Sequence, residues 1–263
     1  MKFIVKNSLI ILVIMYIIFN FQNIPYEKFS ENYNEQEEDI SYVFWTGGYD
    51  STYLVCNLLI NKKKKVQPIY LLYNLDNDSV DKFWVRRNRK HEIMAMDKIR
   101  NAIYEKFPFT RENFLETWIV DKEIKDEDYT RSFDEVNSEL FPRKRRVHQY
   151  EHLGRYAYQL RKPIDLGFVG IHEKSKVVQF LKNNLKKVND NFELPQSHPL
   201  GYIKFPLFGI TKEDMYKKSK SHKFDNILRL TWSCWFPLSD GSPCGKCPMC
   251  RERVISHPEL EIS

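Results

Sequence analysis

The six residues Thr46-Gly47-Gly48-Tyr49-Asp50-Ser51 constrain this chain more than any other feature. They follow a β-type run, Ile40-Ser41-Tyr42-Val43-Phe44-Trp45, and precede a stretch that sets Tyr53, Leu54, Val55, Leu58 and Leu59 at helical spacing. A strand that turns through two glycines into a helix makes an anion site. Glycine reaches positive φ and lets the backbone approach an oxyanion without a Cβ clash. The helix start adds unpaired N–H groups and a partial positive charge. Thr46, Ser51 and Thr52 add hydroxyl donors around the same point. No lysine follows the glycines directly, so this is not the G-x-x-x-x-G-K-[ST] loop of kinases and GTPases.

The rest of the chain predicts the frame for that loop. Lys62 to Lys65 close the first helix, Val66 to Leu72 is a strand, and Lys82 to Phe107 reads as a long helix. Thr117 to Val120 is a short strand. Asp121 to Glu139 is charged and low in apolar periodicity, and reads as an excursion or a lid. Val147 to Leu160 is helical and Pro163 to Val169 is a strand stopped by Gly170. Residues 172–200 are polar without an assigned structure. Ile203 to Phe208 is a last strand before a helix from Lys212 to about Ser221, with Thr211 as N-cap and Glu213 and Asp214 in its first turn. This alternation predicts an α/β fold, a doubly wound parallel sheet with helices on both faces. Ligands of such sheets sit beyond the carboxyl ends of the strands, where the Gly-Gly turn falls.

A second motif closes the chain. Cys234, Cys244, Cys247 and Cys250 stand at C-x9-C-x2-C-x2-C, with Gly245 free to turn sharply and Pro243 and Pro248 stiffening the loop. Four thiolates suit a tetrahedral Zn²⁺, and four protein ligands make the site closed and structural. Iron–sulfur ligation is the alternative. The fifth cysteine, Cys56, sits among Leu54, Val55 and Leu58 as a small core residue. An odd cysteine count with four clustered does not read as a secreted disulfide framework.

The ends and the charge add bounds. A formal net charge of +6 suits an anionic ligand such as ATP but is too weak to argue for nucleic acid. The basic clusters at Lys62–Lys65 and Arg143–Arg146 read as solvated charges. Lys2 and Lys6 precede an apolar run from Leu9 to Phe19, which is shorter than a comfortable membrane span. No A-x-A-like site follows, so an uncleaved anchor is favoured over a removed signal, and a start at Met15 is a third reading. The lysines before the run and Glu35, Glu37, Glu38 and Asp39 after it would put the main domain away from the cytosol, whereas ATP and reduced thiolates are cytosolic expectations. The expected organisation is an anchor or signal-like segment at 1–25, a polar linker at 26–39, an ATP-binding α/β domain at 40–228 and a zinc-binding segment at 229–263.

Residues 46–51 resemble the S-G-G-x-D-S loop of the ATP pyrophosphatases (the PP-loop, adenine nucleotide α-hydrolase-like family), with Thr46 keeping the hydroxyl of the first Ser. That resemblance implies ATP contacts at Thr46, Gly47, Gly48, Tyr49, Asp50, Ser51 and Thr52, with Asp50 orienting the loop or meeting Mg²⁺. Loop and cysteines together resemble the 7-cyano-7-deazaguanine synthase (QueC-like) family. Arg229-Leu230-Thr231-Trp232-Ser233-Cys234-Trp235 is similar to its L-T-x-S-C-aromatic stretch, and Cys244 to Arg253 to its C-G-x-C-x-x-C-x-x-R close. Pro206-Leu207 followed by Thr211-Lys212-Glu213 resembles its P-L-x-x-x-x-K-x-E segment, and Arg89 to Ile93 loosely resembles its basic-plus-Glu helix. The resemblance implies Asp50, Ser51 and Lys212 as catalytic groups, with Lys212 a phosphate contact, and structural Zn²⁺ on the four cysteines.

Where the family carries a G-A-N-x-x-D-like stretch beside substrate, this chain reads Gly170-Ile171-His172-Glu173-Lys174-Ser175, so Gly170, His172 and Glu173 are the substrate candidates. The implied reaction uses ATP and ammonia to turn a carboxylate, 7-carboxy-7-deazaguanine, into an amide and then a nitrile. The alternatives are a PP-loop amidating or thiolating enzyme acting on a tRNA base or a protein terminus, and a membrane-tethered nucleotide-binding protein without turnover. The expected partners are the small-molecule substrate and ammonia, and a homodimer is left open.

Overall fold

Val43 and Phe44 point to opposite sides of one strand, and both are buried, at 0% and 3% exposure. Such a strand belongs inside a sheet with both faces covered. The computed structural model describes residues 40–72, 88–121, 124–140, 148–170, 174–189 and 191–256, all within a unit that spans Asp39–Ser263. The Leu9–Phe19 run, Arg143–Arg146, His172 and Glu173 lie outside the described residues.

In chain order the first elements are β1 (Ile40–Phe44), α1 (Tyr49–Cys56, extended by a π-helical turn to Asn61), β2 (Lys65–Leu71), α2 (Arg89–Lys106) and β3 (Trp118–Val120). They are followed by α3 (Glu127–Leu140), α4 (His148–Leu160), β4 (Ile164–Leu166), α5 (Lys176–Asn184), β5 (Lys186–Val188) and β6 (Asn191–Glu193). The last are β7 (Ile203–Lys204), α6 (Lys212–Ser221), α7 (Asp225–Leu228) and α8 (Pro248–Ser256). The strands form one sheet in the order β3-β2-β1-β4-β7-β6-β5. Helices α1, α2, α6 and α7 pack on Val43, Val66 and Tyr70 on one face. Helices α3, α4 and α5 pack on Phe44, Ile69, Ile164 and Ile203 on the other.

The chain winds from β1 to β2 to β3 in one direction, then crosses to β4 on the other side of β1. The gap between the ends of β1 and β4 is therefore the topological switch point, the crevice where open α/β sheets bind ligands. The glycine loop leaves β1 at that point.

Two sequence expectations need correction. The sheet is doubly wound but not wholly parallel, because β5, β6 and β7 are joined by antiparallel pairs at one edge. The segment read as an excursion contains α3, whose Tyr129 and Phe133 are buried at 5% and 4% exposure. Lys62 to Lys65 do close the first helix: Lys62 is its C-cap, the Lys62 and Lys64 N–H groups donate to the Asn57 and Leu58 carbonyls, Lys63 turns the chain with a φ of 50°, and Lys65 opens β2 opposite Ile40.

Asp165 lies in the middle of β4, beside Val43 on one side and Lys204 on the other. Burial pushes its carboxyl up to about 6, against the opposing pull of Lys204, Lys62 and Lys64 and with a push from Glu193. A raised acid stabilises the fold relative to its charged form only while protonated. Its contribution is complete below its ordinary value near 3.8 and is lost as pH rises through about 6. Asp165→Asn is therefore expected to stabilise the protein by about 2–3 kcal/mol at pH 8 and by little at pH 4. Denaturant unfolding at the two pH values checks this, and a gain independent of pH contradicts it.

Candidate functional site

The loop is built by close approach. Gly47 has φ +70°, and a Cβ there would stand 3.1 Å from both the Glu92 carbonyl oxygen and the Met96 Cγ of α2. Its own carbonyl accepts the Trp232 backbone N–H at 3.0 Å. The loop is thus wedged between α2 and the residues just before Cys234. Inside it, Ser51 Oγ accepts the Thr46 N–H at 3.4 Å and donates to the Gly48 carbonyl at 3.3 Å. Gly48 is the N-cap of α1 without a side-chain cap, which leaves first-turn N–H groups for another acceptor.

Gly167, just past β4, closes the crevice from the other strand. A Cβ on it would meet the Ser51 nitrogen at 2.8 Å, so only glycine lets the end of β4 approach the first turn of α1 this closely. Gly170 has φ +65°, and a Cβ there would strike the Phe208 ring at 2.5 Å.

A lysine reaches the loop from far along the chain. Thr211 caps α6 in a reciprocal capping box with Asp214, accepting its N–H at 3.1 Å, and this fixes the first turn that carries Lys212. The Lys212 ammonium pairs with the Asp50 carboxylate and lies 5.3 Å from the Tyr49 ring centroid. Lys212 is only 8% exposed. An ammonium at a helix N-terminus opposes the local dipole, so Asp50 offsets both that and the cost of desolvating the charge.

Around these groups lies a cavity of about 580 Å³. Thr46, Gly48, Tyr49, Asp50, Ser51 and Lys212 line it, as does Gly170. The aromatic residues Phe44, Tyr150, Phe168, Trp232 and Trp235 also face it, together with Glu252 and Arg253 from α8. The cavity has mixed charge, with Asp50, Glu92 and Glu252 against Lys212 and Arg253. The α1 N-terminus and Lys212 form one N–H-rich end, beside aromatic walls on which a planar ring can stack. Gly47 and Thr52 do not line the cavity. Gly47 sits behind it in backbone contact, and the Thr52 hydroxyl, fully buried, accepts the Trp45 indole N–H at 3.1 Å.

The cysteines do converge. The four Sγ atoms of Cys234, Cys244, Cys247 and Cys250 all lie within 4.8 Å of one another. A tetrahedral zinc site with bonds of ~2.3 Å needs sulfur separations of about 3.8 Å, and Cys244 and Cys250 already stand at 4.0 Å. Backbone N–H groups of Cys244, Cys247 and Cys250 point at the sulfurs of Cys234, Cys244 and Cys247, at 3.3–3.4 Å. Burial raises Cys244, but the N–H groups of Lys246 and Cys247, with the Cys234 and Cys247 thiols, outweigh it and pull the thiol down to about 7, whereas burial pushes the metal-free Cys234 and Cys250 thiols up. The donor set therefore fits a thiolate-bound metal ion, and no other His/Cys/Asp/Glu group among the described residues gathers this way. Cys56 is fully buried, and burial pushes its thiol up, as a core residue requires.

Comparison with known proteins agrees with this geometry. The family model described as queuosine biosynthesis protein QueC matches residues 41–260. The chain belongs to the QueC family. A 7-cyano-7-deazaguanine synthase of Syntrophus aciditrophicus (strain SB) is 41% identical over 51 residues, which span 19% of this chain and 21% of that relative's length. The QueC match begins one residue into β1 and takes in both the glycine loop and the cysteine cluster. Among the described residues no helix is long and apolar enough to cross a membrane.

Three contributors to the site were not recognisable beforehand. Gly167 was hidden inside a segment read as strand. Tyr150 and Phe168 join the cavity through the fold alone, on residues with no motif of their own.

Proposed function

We propose that this QueC-family chain activates the carboxylate of 7-carboxy-7-deazaguanine with ATP and converts it with ammonia to the amide and then the nitrile. The reading rests above all on the Lys212–Asp50 pair at the mouth of the Thr46–Ser51 loop, because it supplies a fixed cation beside an N–H-rich turn. The β- and γ-phosphates would lie on the Gly48 to Ser51 turn with Lys212 against their oxygens. Asp50 keeps that ammonium aimed and offers a carboxylate to Mg²⁺ carried by the nucleotide. The Thr46 hydroxyl donates to the same phosphates, and the Ser51 hydroxyl turns from the Gly48 carbonyl to do so when nucleotide binds. The aromatic walls from Tyr150, Phe168 and Trp235 stack the planar base.

The chemistry balances in two rounds. A carboxylate oxygen attacks the α-phosphorus, the bond to the β-phosphate bridging oxygen breaks, and pyrophosphate leaves. Ammonia then attacks the carbonyl carbon and AMP departs, leaving the amide and a proton. In the second round the amide oxygen takes the next AMP group with loss of pyrophosphate and of one N–H proton, giving an O-adenylated imidate, and elimination of AMP and the second N–H proton leaves the carbon–nitrogen triple bond. Lys212 and the α1 N-terminus act by stabilising charge on the departing pyrophosphate. Zn²⁺ on Cys234, Cys244, Cys247 and Cys250 would be structural, holding α8 and its cavity residues.

The test is the nucleotide product. With ATP, Mg²⁺ and ammonia, AMP and pyrophosphate should form only when 7-carboxy-7-deazaguanine is present, read by ³¹P NMR. Turnover only with another acceptor, or tight binding without turnover, overturns the substrate assignment.

A further inference from the structure

The glycine loop and the cysteine knuckle share one short strap, residues 231–234. In its middle, the Trp232 backbone N–H donates to the Gly47 carbonyl at 3.0 Å. At its end stands Cys234, whose carbonyl accepts the Trp232 indole N–H at 2.8 Å. The Trp232 ring stacks on His91 of α2 with centroids 4.6 Å apart and planes at 22°. One strap residue therefore holds the phosphate loop through its backbone, α2 through its ring and a metal ligand through its indole nitrogen.

The flanking hydroxyls on either side of Trp232 are both held by one side chain. Arg253 donates from Nη1 to Thr231 Oγ1 at 3.1 Å and to Ser233 Oγ at 3.2 Å, and its Nη2 reaches the Arg229 carbonyl at 3.5 Å. Arg253 is carried on α8, the helix that starts beside Cys247 and includes Cys250. With Nη1 on residues 231 and 233 and Nη2 on the 229 carbonyl, the guanidinium fixes the direction of the peptide N–H at 232, the group that meets the loop. A planar guanidinium holds all three contacts from two nitrogens in one geometry, whereas a lysine ammonium offers a single nitrogen on a flexible stem and cannot keep all three.

We propose that Arg253 is a positioning residue that couples metal occupancy of the four-cysteine knuckle to the shape of the phosphate loop. The metal holds the start of α8, α8 carries Arg253, Arg253 sets the strap, and the strap sets Gly47. The nucleotide arm of the test rests on the reading of residues 46–52 as an ATP site; the exchange arm does not.

The full chain loaded with zinc, its Arg253→Ala and Arg253→Lys variants, and the wild type after chelation are compared in amide hydrogen exchange and in titration with a non-hydrolysable ATP analogue and Mg²⁺. Arg253→Ala should keep one zinc per chain while the Trp232 amide exchanges faster and the analogue binds more weakly, each by about tenfold. Arg253→Lys should fall between. Chelation of the wild type should unprotect the same amide, and chelation of Arg253→Ala should add little, since both act through one path. Wild-type exchange at Trp232 in zinc-loaded Arg253→Ala overturns the coupling, and so does full additivity with chelation. If Arg253→Ala does not fold, Arg253→Lys and the chelated wild type decide by the same exchange criterion. Absence of analogue binding to the wild type, with the exchange pattern as expected, would instead overturn the nucleotide reading and leave the coupling supported.

Discussion

Lys212→Met is expected to lower turnover with ATP by about 10²–10³-fold, the usual cost of losing one preorganised donor to a developing charge. Methionine keeps an unbranched apolar stem of nearly the same length in this buried position, while the ammonium that pairs with Asp50 and faces the Tyr49 ring is removed. Asp50 is left without Lys212 but remains partly open to water, at 27% side-chain exposure, so the fold should lose little stability. The loss therefore separates function from folding: a sharp fall in kcat with a melting temperature within a few degrees of wild type. Asp50→Asn should act on the same unit, removing the group that aims Lys212. The double variant Asp50→Asn/Lys212→Met should be little worse than either alone, because the two act together. Steady-state kinetics on the three proteins checks this. Undiminished turnover in either single variant contradicts the assignment of this pair to the phosphates.

Cys247→Ser carries the largest expected effect on stability. Cys247 is 6% exposed and packs with Cys234 and Cys250 among Trp232, Trp235, Phe236 and Met249. This cluster has few large aliphatic side chains of its own, so a metal ion is its main fastening. Metal that binds only the folded state at a thousand times its Kd contributes about 4 kcal/mol. For a domain of this size that corresponds to a fall of about 10 °C in melting temperature. The variant should also lose its bound zinc, read by elemental analysis. A wild type that is folded, metal-free and unaltered in melting by a chelator contradicts the knuckle.

The parts of this account that were legible beforehand are those written in short stretches of chain. The Thr46–Ser51 turn, the Thr211 cap and the C-x2-C-x2-C spacing each bring their residues together within a few positions, so local geometry decides them. Helix α3 was not legible because, among its described side chains, only Tyr129 and Phe133 are buried, in a segment dominated by charge. The β5–β6 hairpin was missed for a related reason: Lys186, Lys187 and Val188 form an exposed edge, which has no buried face to impose alternation. The contact between Lys212 and Asp50 spans 162 positions and exists only because α6 and α1 meet beside the same crevice. Family resemblance pointed to Lys212; no periodicity in the chain could. Gly167 is similar, since its need to be glycine comes from Ser51 in the first turn of α1, 116 positions away in the chain. Of the substrate candidates, Gly170 lines the cavity while His172 and Glu173 lie outside the described residues.

The central claim is that the phosphate loop serves the conversion of a deazaguanine carboxylate to a nitrile. The most direct measurement is the mass of the base recovered after incubating the zinc-loaded protein with 7-carboxy-7-deazaguanine, ATP, Mg²⁺ and ¹⁵N-labelled ammonia. The account predicts 7-cyano-7-deazaguanine carrying one labelled nitrogen, preceded in time by the labelled amide. Recovery of the unchanged carboxylate, from protein that binds ATP and zinc, would contradict it.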